Sequence, residues 1–169
     1  MHSTLIIREA TPADIPAIRQ IAFDTWPSTY GAILSQEQID YMLAWMYSPE
    51  ALQKQMQEGH QFYIAELDHT TLGFAGVSQE GSTKFKLHKL YVVPTTQKTG
   101  AGKALLQKVI GFARDNGGAK LILQVNRHNN AKGFYEKQGF SVLDEVKLDI
   151  GNGFFMDDYI MQYDLNNQS

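Results

Sequence analysis

One glycine-bearing segment of the sequence combines residue types that suit the binding of a phosphate group. It follows an apolar run that predicts a strand, precedes an amphipathic run that predicts a helix, and reads Gln97-Lys98-Thr99-Gly100-Ala101-Gly102-Lys103. The first amides of a helix have no acceptor within the helix, and that end carries a partial positive charge that attracts phosphate or pyrophosphate. Glycine lets a ligand approach the backbone closely, and the two lysines add positive charge. The same pattern is also compatible with an ordinary, tightly packed helix start.

Two familiar phosphate loops do not match this segment. A Walker loop has Ser or Thr after its Gly-Lys pair, whereas Ala104 follows Gly102-Lys103, and Gln97 occupies the place of its first glycine. A dinucleotide fingerprint needs a third glycine, which residues 103–105 do not supply. The segment therefore predicts an anion site of another kind.

A second informative segment follows a nearly continuous apolar run that predicts a buried strand. It begins at Asn126 and ends at Phe140, and it predicts a short helix. Ala131, Phe134 and Tyr135 would share one face of that helix. Taken alone, the pattern is also typical of a packed helix with a tyrosine in the core.

Together the two segments resemble the signature motifs of the GNAT superfamily of N-acetyltransferases. The first is similar to the family's pyrophosphate loop, Arg/Gln-x-x-Gly-x-Gly/Ala, with Gln97 where Arg is commoner. The second is similar to its other signature and reads Asn129-x-Ala131-x-x-Phe134-Tyr135-Glu136-Lys137-x-Gly139-Phe140. The order of the motifs, and of the predicted elements over nearly the whole chain, also fits. The resemblance implies an enzyme that uses acetyl-CoA as co-substrate and no metal.

The resemblance also implies where the co-substrate binds. Its pantetheine arm would pair with the backbone of a strand that splays from its neighbour, and its pyrophosphate would lie over the amides of the glycine turn. Asn129 would be a polar contact to the arm. The implied cofactor-binding residues are Leu90, Tyr91, Val92, Gln97, Lys98, Thr99, Gly100, Ala101, Gly102, Lys103 and Asn129.

The implied reaction is direct attack of a neutral amine on the thioester in a ternary complex. Tyr135 matches the family's usual general acid, and a hydroxyl with a reference pKa of ~10 suits protonation of a leaving thiolate. The other interpretation of Tyr135 is a packed ring whose hydroxyl only hydrogen-bonds the sulfur. The backbone amide near Val92 is the candidate donor to the tetrahedral oxyanion.

The general base stays open at this stage. Many family members carry a Glu on the strand before the glycine turn, but residues 83–93 contain none. His88 lies there, and a reference pKa of ~6.5 fits a base at neutral pH, although such a residue is often structural. Asp157, Asp158 and ordered water are the alternatives. The two acids beside Tyr159 could also hold a cation, but adjacent acids in an exposed strand are commonly only solvated.

The acceptor site is predicted to come from the last hairpin and from the helical region after the first strand, where we interpret residues 26–31 as a loop rich in aromatic and hydroxyl groups. Trp26 and Tyr30 are the predicted substrate contacts, although aromatic packing alone would also explain them. A small amine such as a polyamine or an amino acid is the expected acceptor. The alternatives are the amino terminus of a protein or peptide and a non-catalytic acyl-CoA-binding regulatory module. Tyr135 counts against that module because the usual acid is retained.

The elements that must position these residues follow from periodicity. The predicted order is a strand, helices, three strands forming an antiparallel meander, a helix, a strand, a helix and two strands. Residues 85–125 should form a right-handed parallel crossover. The resemblance implies an α/β (α+β) fold whose mixed, mostly antiparallel twisted sheet has about seven strands. It also implies helices on both faces of that sheet and a V-shaped splay between the central parallel strands.

Composition sets the remaining limits. The 169 residues fit one domain, residues 1–169, and the absence of cysteine excludes disulfides, thiolate metal sites and a cysteine nucleophile. The net charge of -3, with both signs spread along the chain, favours no nucleic-acid partner. No apolar run approaches the ~20 residues that cross a bilayer, so we expect a cytoplasmic protein without a membrane partner. The family resemblance makes a homodimer an open expectation.

Overall fold

The computed structural model describes residues 4–93 and 99–166. In chain order the elements are β1 (Leu5–Glu9), α1 (Ile15–Tyr30), α2 (Gln36–Tyr47), α3 (Pro49–Gln57), β2 (Gln61–Leu67), β3 (Thr70–Gln79), β4 (Lys84–Val92), α4 (Ala101–Asp115), β5 (Lys120–Asn126), α5 (Ala131–Lys137), β6 (Ser141–Gly151) and β7 (Phe154–Asp164). This order confirms the predicted one. Across the two described ranges, none of the helices is long and apolar enough to span a bilayer.

The strands form one mixed sheet in the order β1-β2-β3-β4-β5-β7-β6. β2, β3 and β4 form the predicted antiparallel meander, β4 and β5 are parallel, and the remaining neighbours are antiparallel. The final hairpin places its second strand inside the sheet, because β7 pairs with both β5 and β6. A residue of β7 can therefore be enclosed on both sides by neighbouring strands.

Helices cover both faces of the sheet, as predicted. On the α1–α3 face, these helices pack over a cluster that includes Trp26, Tyr47 and Phe74. On the α4–α5 face, the cluster includes Leu105 and Leu123. Full burial of one such side chain stabilises the fold by about 1.5–3 kcal/mol, so the two clusters together fix the position of the sheet between its helices.

Helix α1 corrects the prediction of a loop at residues 26–31. The helix continues through Pro27 and ends at Tyr30, and the amide of Gly31 still donates to the carbonyl of Pro27 at 2.8 Å. Proline inside a helix removes a hydrogen bond and is usually destabilising. Here the helical spacing of Ala22, Trp26 and Tyr30 keeps three buried side chains on one face. Burial of the aromatic rings outweighs the cost of the proline.

The parallel strands β4 and β5 separate partway along their length. Their backbone pairing covers Lys84 to Leu87 opposite Lys120 to Leu123 and then ends, although both strands continue. Each strand remains paired with its other neighbour, because Val92 still pairs with Gly73 on β3 and Asn126 with Asp158 on β7. The predicted V-shaped splay is thereby confirmed.

A β-bulge in β4 lies at the start of this splay. Gly76 of β3 pairs with Lys89, whereas the next residue, Val77, pairs with Leu87, which leaves His88 without an opposing residue. A bulge shifts the alternation of side chains along the strand. Beyond it, Tyr91 packs on the α1–α3 face, while Leu90 packs on the α4–α5 face.

Candidate active site

A small cleft of about 50 Å³ lies where β4 and β5 separate. Its lining combines residues of β4, β5, α1 and α5. Six of the side chains singled out in the sequence meet there: Tyr30, His88, Leu90, Tyr91, Asn129 and Tyr135. The separation of β4 and β5 thus brings together residues of β4, residues of the segment that begins at Asn126, and Tyr30 of α1.

The exposed edge of β4 presents its amides to the gap. The amide of Val93 donates to the carbonyl of Leu72 on β3 at 2.8 Å. Because successive backbone groups of a strand alternate in direction, the amide of Val92 points the other way, toward the gap. This orientation suits both pairing with an extended amide-bearing ligand and donation to an oxyanion.

The glycine turn lies at the open end of the splay. Gly100 has φ +83°, a left-handed conformation that favours glycine, and its carbonyl accepts from the amide of Ala104 at 3.0 Å. A Cβ atom added to Gly102 would lie 3.7 Å from the Val92 side chain and 3.9 Å from Phe134, which are ordinary contacts. The N-terminus of α4 is therefore close to both the edge of β4 and α5. Gln97 and Lys98 lie outside the described residues.

Tyr135 reaches the cleft from α5 and is 8% exposed. Its ring packs against Phe134 and Phe140, at centroid distances of 5.3 and 5.6 Å. Burial, with a smaller effect from Tyr30, raises the pKa of the Tyr135 hydroxyl. The group is thus protonated at neutral pH and can donate a proton or a hydrogen bond to an atom in the cleft.

Two further tyrosines face one another across the cleft. The hydroxyls of Tyr30 and Tyr91 are 3.0 Å apart. Burial raises the pKa of both. Asn129 begins the turn into α5 by accepting from the amide of Ala131 at 2.9 Å, so its side chain is held beside these hydroxyls.

Trp26 lies beneath the cleft and does not line it. Its side chain is 1% exposed, and its ring packs on Tyr30 at 4.7 Å and on Tyr91 at 5.8 Å. Of the two predicted acceptor contacts, only Tyr30 lines the cleft. Trp26 instead packs behind Tyr30 and Tyr91, which both line it.

His88 lines the cleft but is held by groups of its own face of the sheet. Its Nε2 atom lies 2.7 Å from the Ser78 hydroxyl and 3.4 Å from a carboxylate oxygen of Glu80, and its ring stacks on His60 at 4.5 Å. Burial, followed by the charges of His60 and Lys89, lowers the pKa of His88 to about 3. An imidazole with that pKa takes up a proton poorly at neutral pH, which counts against His88 as the base.

Asp157 and Asp158 have opposite environments. Asp157 accepts from both Nε and Nη2 of Arg127 at 3.2 Å and is partly exposed. Asp158 is completely buried, and neither carboxylate oxygen has a hydrogen-bond partner among residues 4–93 and 99–166. Burial and then the charge of Asp157 raise the pKa of Asp158 to about 6, against an opposing effect of Lys86. The expectation that both acids are solvated is wrong for Asp158, because its side chain shares a face of β7 with Met156, which packs against the α1–α3 cluster, whereas Asp157 is on the opposite face.

Lys89 is a buried cation that sequence reasoning missed. Its Nζ atom donates to Gln55 Oε1 at 2.9 Å and lies 5.4 and 5.8 Å from the rings of Tyr47 and Phe62. Burial, with help from the charge of Lys86, lowers the pKa of Lys89 to about 8. Nothing in the sequence signals this burial, because the bulge at His88 turns Lys89 toward the α1–α3 face.

Similar proteins share this architecture. A family model for the Acetyltransferase (GNAT) domain matches residues 32–156. Spermidine N(1)-acetyltransferase of Thermoplasma acidophilum is 29% identical over 144 residues, which cover 82% of this chain and 89% of that protein. Aminoglycoside N(6')-acetyltransferase type 1 of Stenotrophomonas maltophilia is 31% identical over 147 residues, which cover 78% and 87%.

A solved structure extends the similarity to nearly the whole chain. The crystal structure of PaiA N-acetyltransferase from Thermoplasma acidophilum in complex with coenzyme A superimposes with a TM-score of 0.82 at 28% sequence identity. The alignment covers 95% of this chain and 99% of that one.

Proposed function

The chain belongs to the GNAT superfamily of N-acetyltransferases and uses acetyl-CoA, and from this premise we propose that its acceptor is a small molecule with a primary amine, such as a polyamine or an amino acid. The observation that carries the proposal is the cleft between β4 and β5, which is small and lined by three tyrosines, Tyr30, Tyr91 and Tyr135. Such a lining offers hydroxyls and aromatic faces to a compact cation. The spermidine and aminoglycoside acetyltransferases similar to this chain act on amines of that class.

In this proposal the acetyl donor extends along the exposed edge of β4. The backbone of Leu90, Tyr91 and Val92 pairs with the pantetheine arm, since an extended amide-bearing ligand can complete an opened sheet edge. Asn129 contacts the arm from the opposite side. The pyrophosphate lies over the N-terminus of α4, where the amides of residues 99–103 and the helix dipole favour an anion. The sequence motif adds Gln97 and Lys98 to this site.

The chemical step divides its tasks between the strand and α5. The Val92 amide, which points into the gap, donates to the oxyanion that forms when the amine attacks the thioester. Tyr135 then gives its proton to the departing thiolate. Its raised pKa keeps the hydroxyl protonated until that step.

A free-thiol release assay over a panel of acceptors tests the proposal. The panel contains polyamines, amino acids, aminoglycosides and peptides with free amino termini, and binding of acetyl-CoA is measured in parallel by thermal shift. We expect acetyl-CoA to raise the melting temperature and a small amine to give the highest kcat/KM. Preference for peptides would overturn the proposed acceptor class. Binding without thiol release from any acceptor would indicate a regulatory module.

A further inference from the structure

The buried carboxylate of Asp158 is unexplained by the fold. The side chain has no exposed surface, and no donor in the described residues reaches either oxygen. A buried charge without a partner strongly opposes folding, whereas a buried charge with a cationic partner does not. A ligand that supplies the missing cation would account for an acid at this position.

Asp158 does not itself line the cleft, but it lies on β7 beside the end of β5, whose residues Gln124 and Val125 do. It pairs across the sheet with Asn126, the last residue of β5. Met156, two residues earlier on the same face of β7, packs against the α1–α3 cluster. Burial raises the pKa of Tyr30, and the negative charge of Asp158 adds to the increase, so the two side chains lie within electrostatic range of one another. Tyr30 in turn lines the cleft.

The other candidates for a proton acceptor are already engaged. Asp157 is paired with Arg127, which also pairs with Glu145. His88 is held between Ser78 and Glu80. Within the described part of the chain, Asp158 is therefore the acid beside the cleft whose oxygens remain available.

We propose that Asp158 is the general base, which pairs with the ammonium group of the incoming acceptor and takes its proton. This inference rests on the proposed function. Because the carboxylate is enclosed, the proposal requires the Tyr30 side chain to turn aside so that the amine can reach Asp158.

The proton transfers balance. An N–H bond of the ammonium breaks and an O–H bond forms on Asp158, which gives the neutral amine. Its lone pair forms the C–N bond, and the C–S bond breaks. The thiolate takes the proton of Tyr135, and the second proton lost from the attacking nitrogen restores the tyrosine. Asp158 finally releases its proton to solvent, so one proton is liberated per amide formed.

The charges around Asp158 define the pH range of this step. Asp157 on its own strand disfavours ionisation, Lys86 on β4 favours it, and Tyr30 of α1 is neutral at working pH. The facing residues on the neighbouring strands, Asn126 and Val146, carry no charge. With the pKa of Asp158 at about 6, the base is ionised above that pH and kcat/KM should fall below it.

Asp158→Asn tests the proposal, with Asp157→Asn as the matched control. At pH 7 we expect kcat/KM for the amine to fall roughly 100-fold or more in Asp158→Asn, with the affinity for acetyl-CoA unchanged by calorimetry. Without the base, the variant depends on the fraction of neutral amine, so the deficit should shrink as the pH approaches the pKa of the amine. A structural role would give the same deficit at every pH. Asp157→Asn should keep kcat/KM within threefold at pH 7 and above, and it should move the acidic limb to lower pH because it removes a charge that disfavours ionisation of Asp158.

Three results would overturn the proposal. One is an Asp158→Asn enzyme within threefold of the natural one at pH 7, and another is a deficit that does not change with pH. If Asp158→Asn does not fold, the pH profile of kcat/KM of the natural enzyme provides the third test. A profile without an acidic limb near pH 6 would exclude Asp158 as the base. Absence of turnover by the natural protein with any amine would instead refute the proposed function.

Discussion

The two faces of the sheet bury different kinds of side chain. The α4–α5 face encloses aliphatic and aromatic groups such as Leu105 and Val109. The α1–α3 side carries Lys89 and Asp158 as buried charges. Apolar packing explains the α4–α5 face. The α1–α3 face carries buried polar groups whose burial opposes folding. Buried groups that cost stability in this way are typical of a ligand-binding surface.

The largest expected effect concerns the N-terminus of α4, where we propose that the pyrophosphate of acetyl-CoA binds. Gly102→Glu should abolish binding of acetyl-CoA, because a carboxylate would occupy the position of the pyrophosphate and repel it. Gly111→Glu in the same helix is the matched control, since a Cβ atom there meets nothing within 4 Å. Calorimetry of both variants checks the prediction, and equal affinities would refute it.

Truncation of the apolar face should reduce stability. Leu105 is completely buried in α4, and Leu105→Ala should lower the free energy of unfolding by about 2–5 kcal/mol through lost burial and a residual cavity. Leu148→Ala, at a side chain that is 40% exposed, should change it by less than about 0.5 kcal/mol. Chemical denaturation measures both. Similar losses in the two variants would contradict the assignment of this face to packing.

Removal of the buried charge of Asp158 should raise the free energy of unfolding, whereas truncation of Leu105 lowers it. The pKa of Asp158 is raised in the folded protein to about 6 from 3.8, so its ionised form opposes folding. This penalty is absent below pH 4, grows between pH 4 and 6, and is fully present above pH 6, where it amounts to about 2–3 kcal/mol. Asp158→Asn should therefore gain stability relative to the natural protein as the pH rises. Denaturation at pH 4 and pH 7 measures the change, and a pH-independent difference would exclude it.

The smallest expected effect concerns the hydroxyl of Tyr135. Tyr135→Phe should lower kcat about 10- to 100-fold by removing the proton donor, with little change in acetyl-CoA affinity. Tyr163→Phe removes a hydroxyl from another partly buried tyrosine of the same cluster and should leave kcat unchanged. Stopped-flow measurement of the first turnover checks that product release does not mask the difference. An unaltered rate of the first turnover would remove the acid role.

The sequence was sufficient for the parts of the fold that follow local rules. The three strands of the meander, the helix after the glycine turn and the short helix within residues 126–140 all occur where the sequence predicts them. Each depends on periodicity or on a residue that a turn requires. The motif match also identified Tyr135 and Asn129, which do line the cleft.

The errors arise where tertiary packing decides. Pro27 predicts a break, yet the helix continues because Trp26 and Tyr30 are buried on one face. Asp158 lies in a pattern typical of an exposed strand, but its face of β7 is covered by the helices of the α1–α3 face. Lys89 is turned inward by a bulge that no local pattern indicates. In each case the partners that determine the environment are distant in sequence.

The short ladder between β4 and β5 has a consequence for the dynamics of the whole sheet. Strands β1 to β4 and strands β5 to β7 are joined directly by four residue pairs, from Lys84–Lys120 to Leu87–Leu123. An extended ligand in the gap would lengthen that junction and couple the opening of the two halves. Amide hydrogen exchange at residues 88–92 and 124–126 should therefore slow together when acetyl-CoA binds, even at positions that the ligand does not touch.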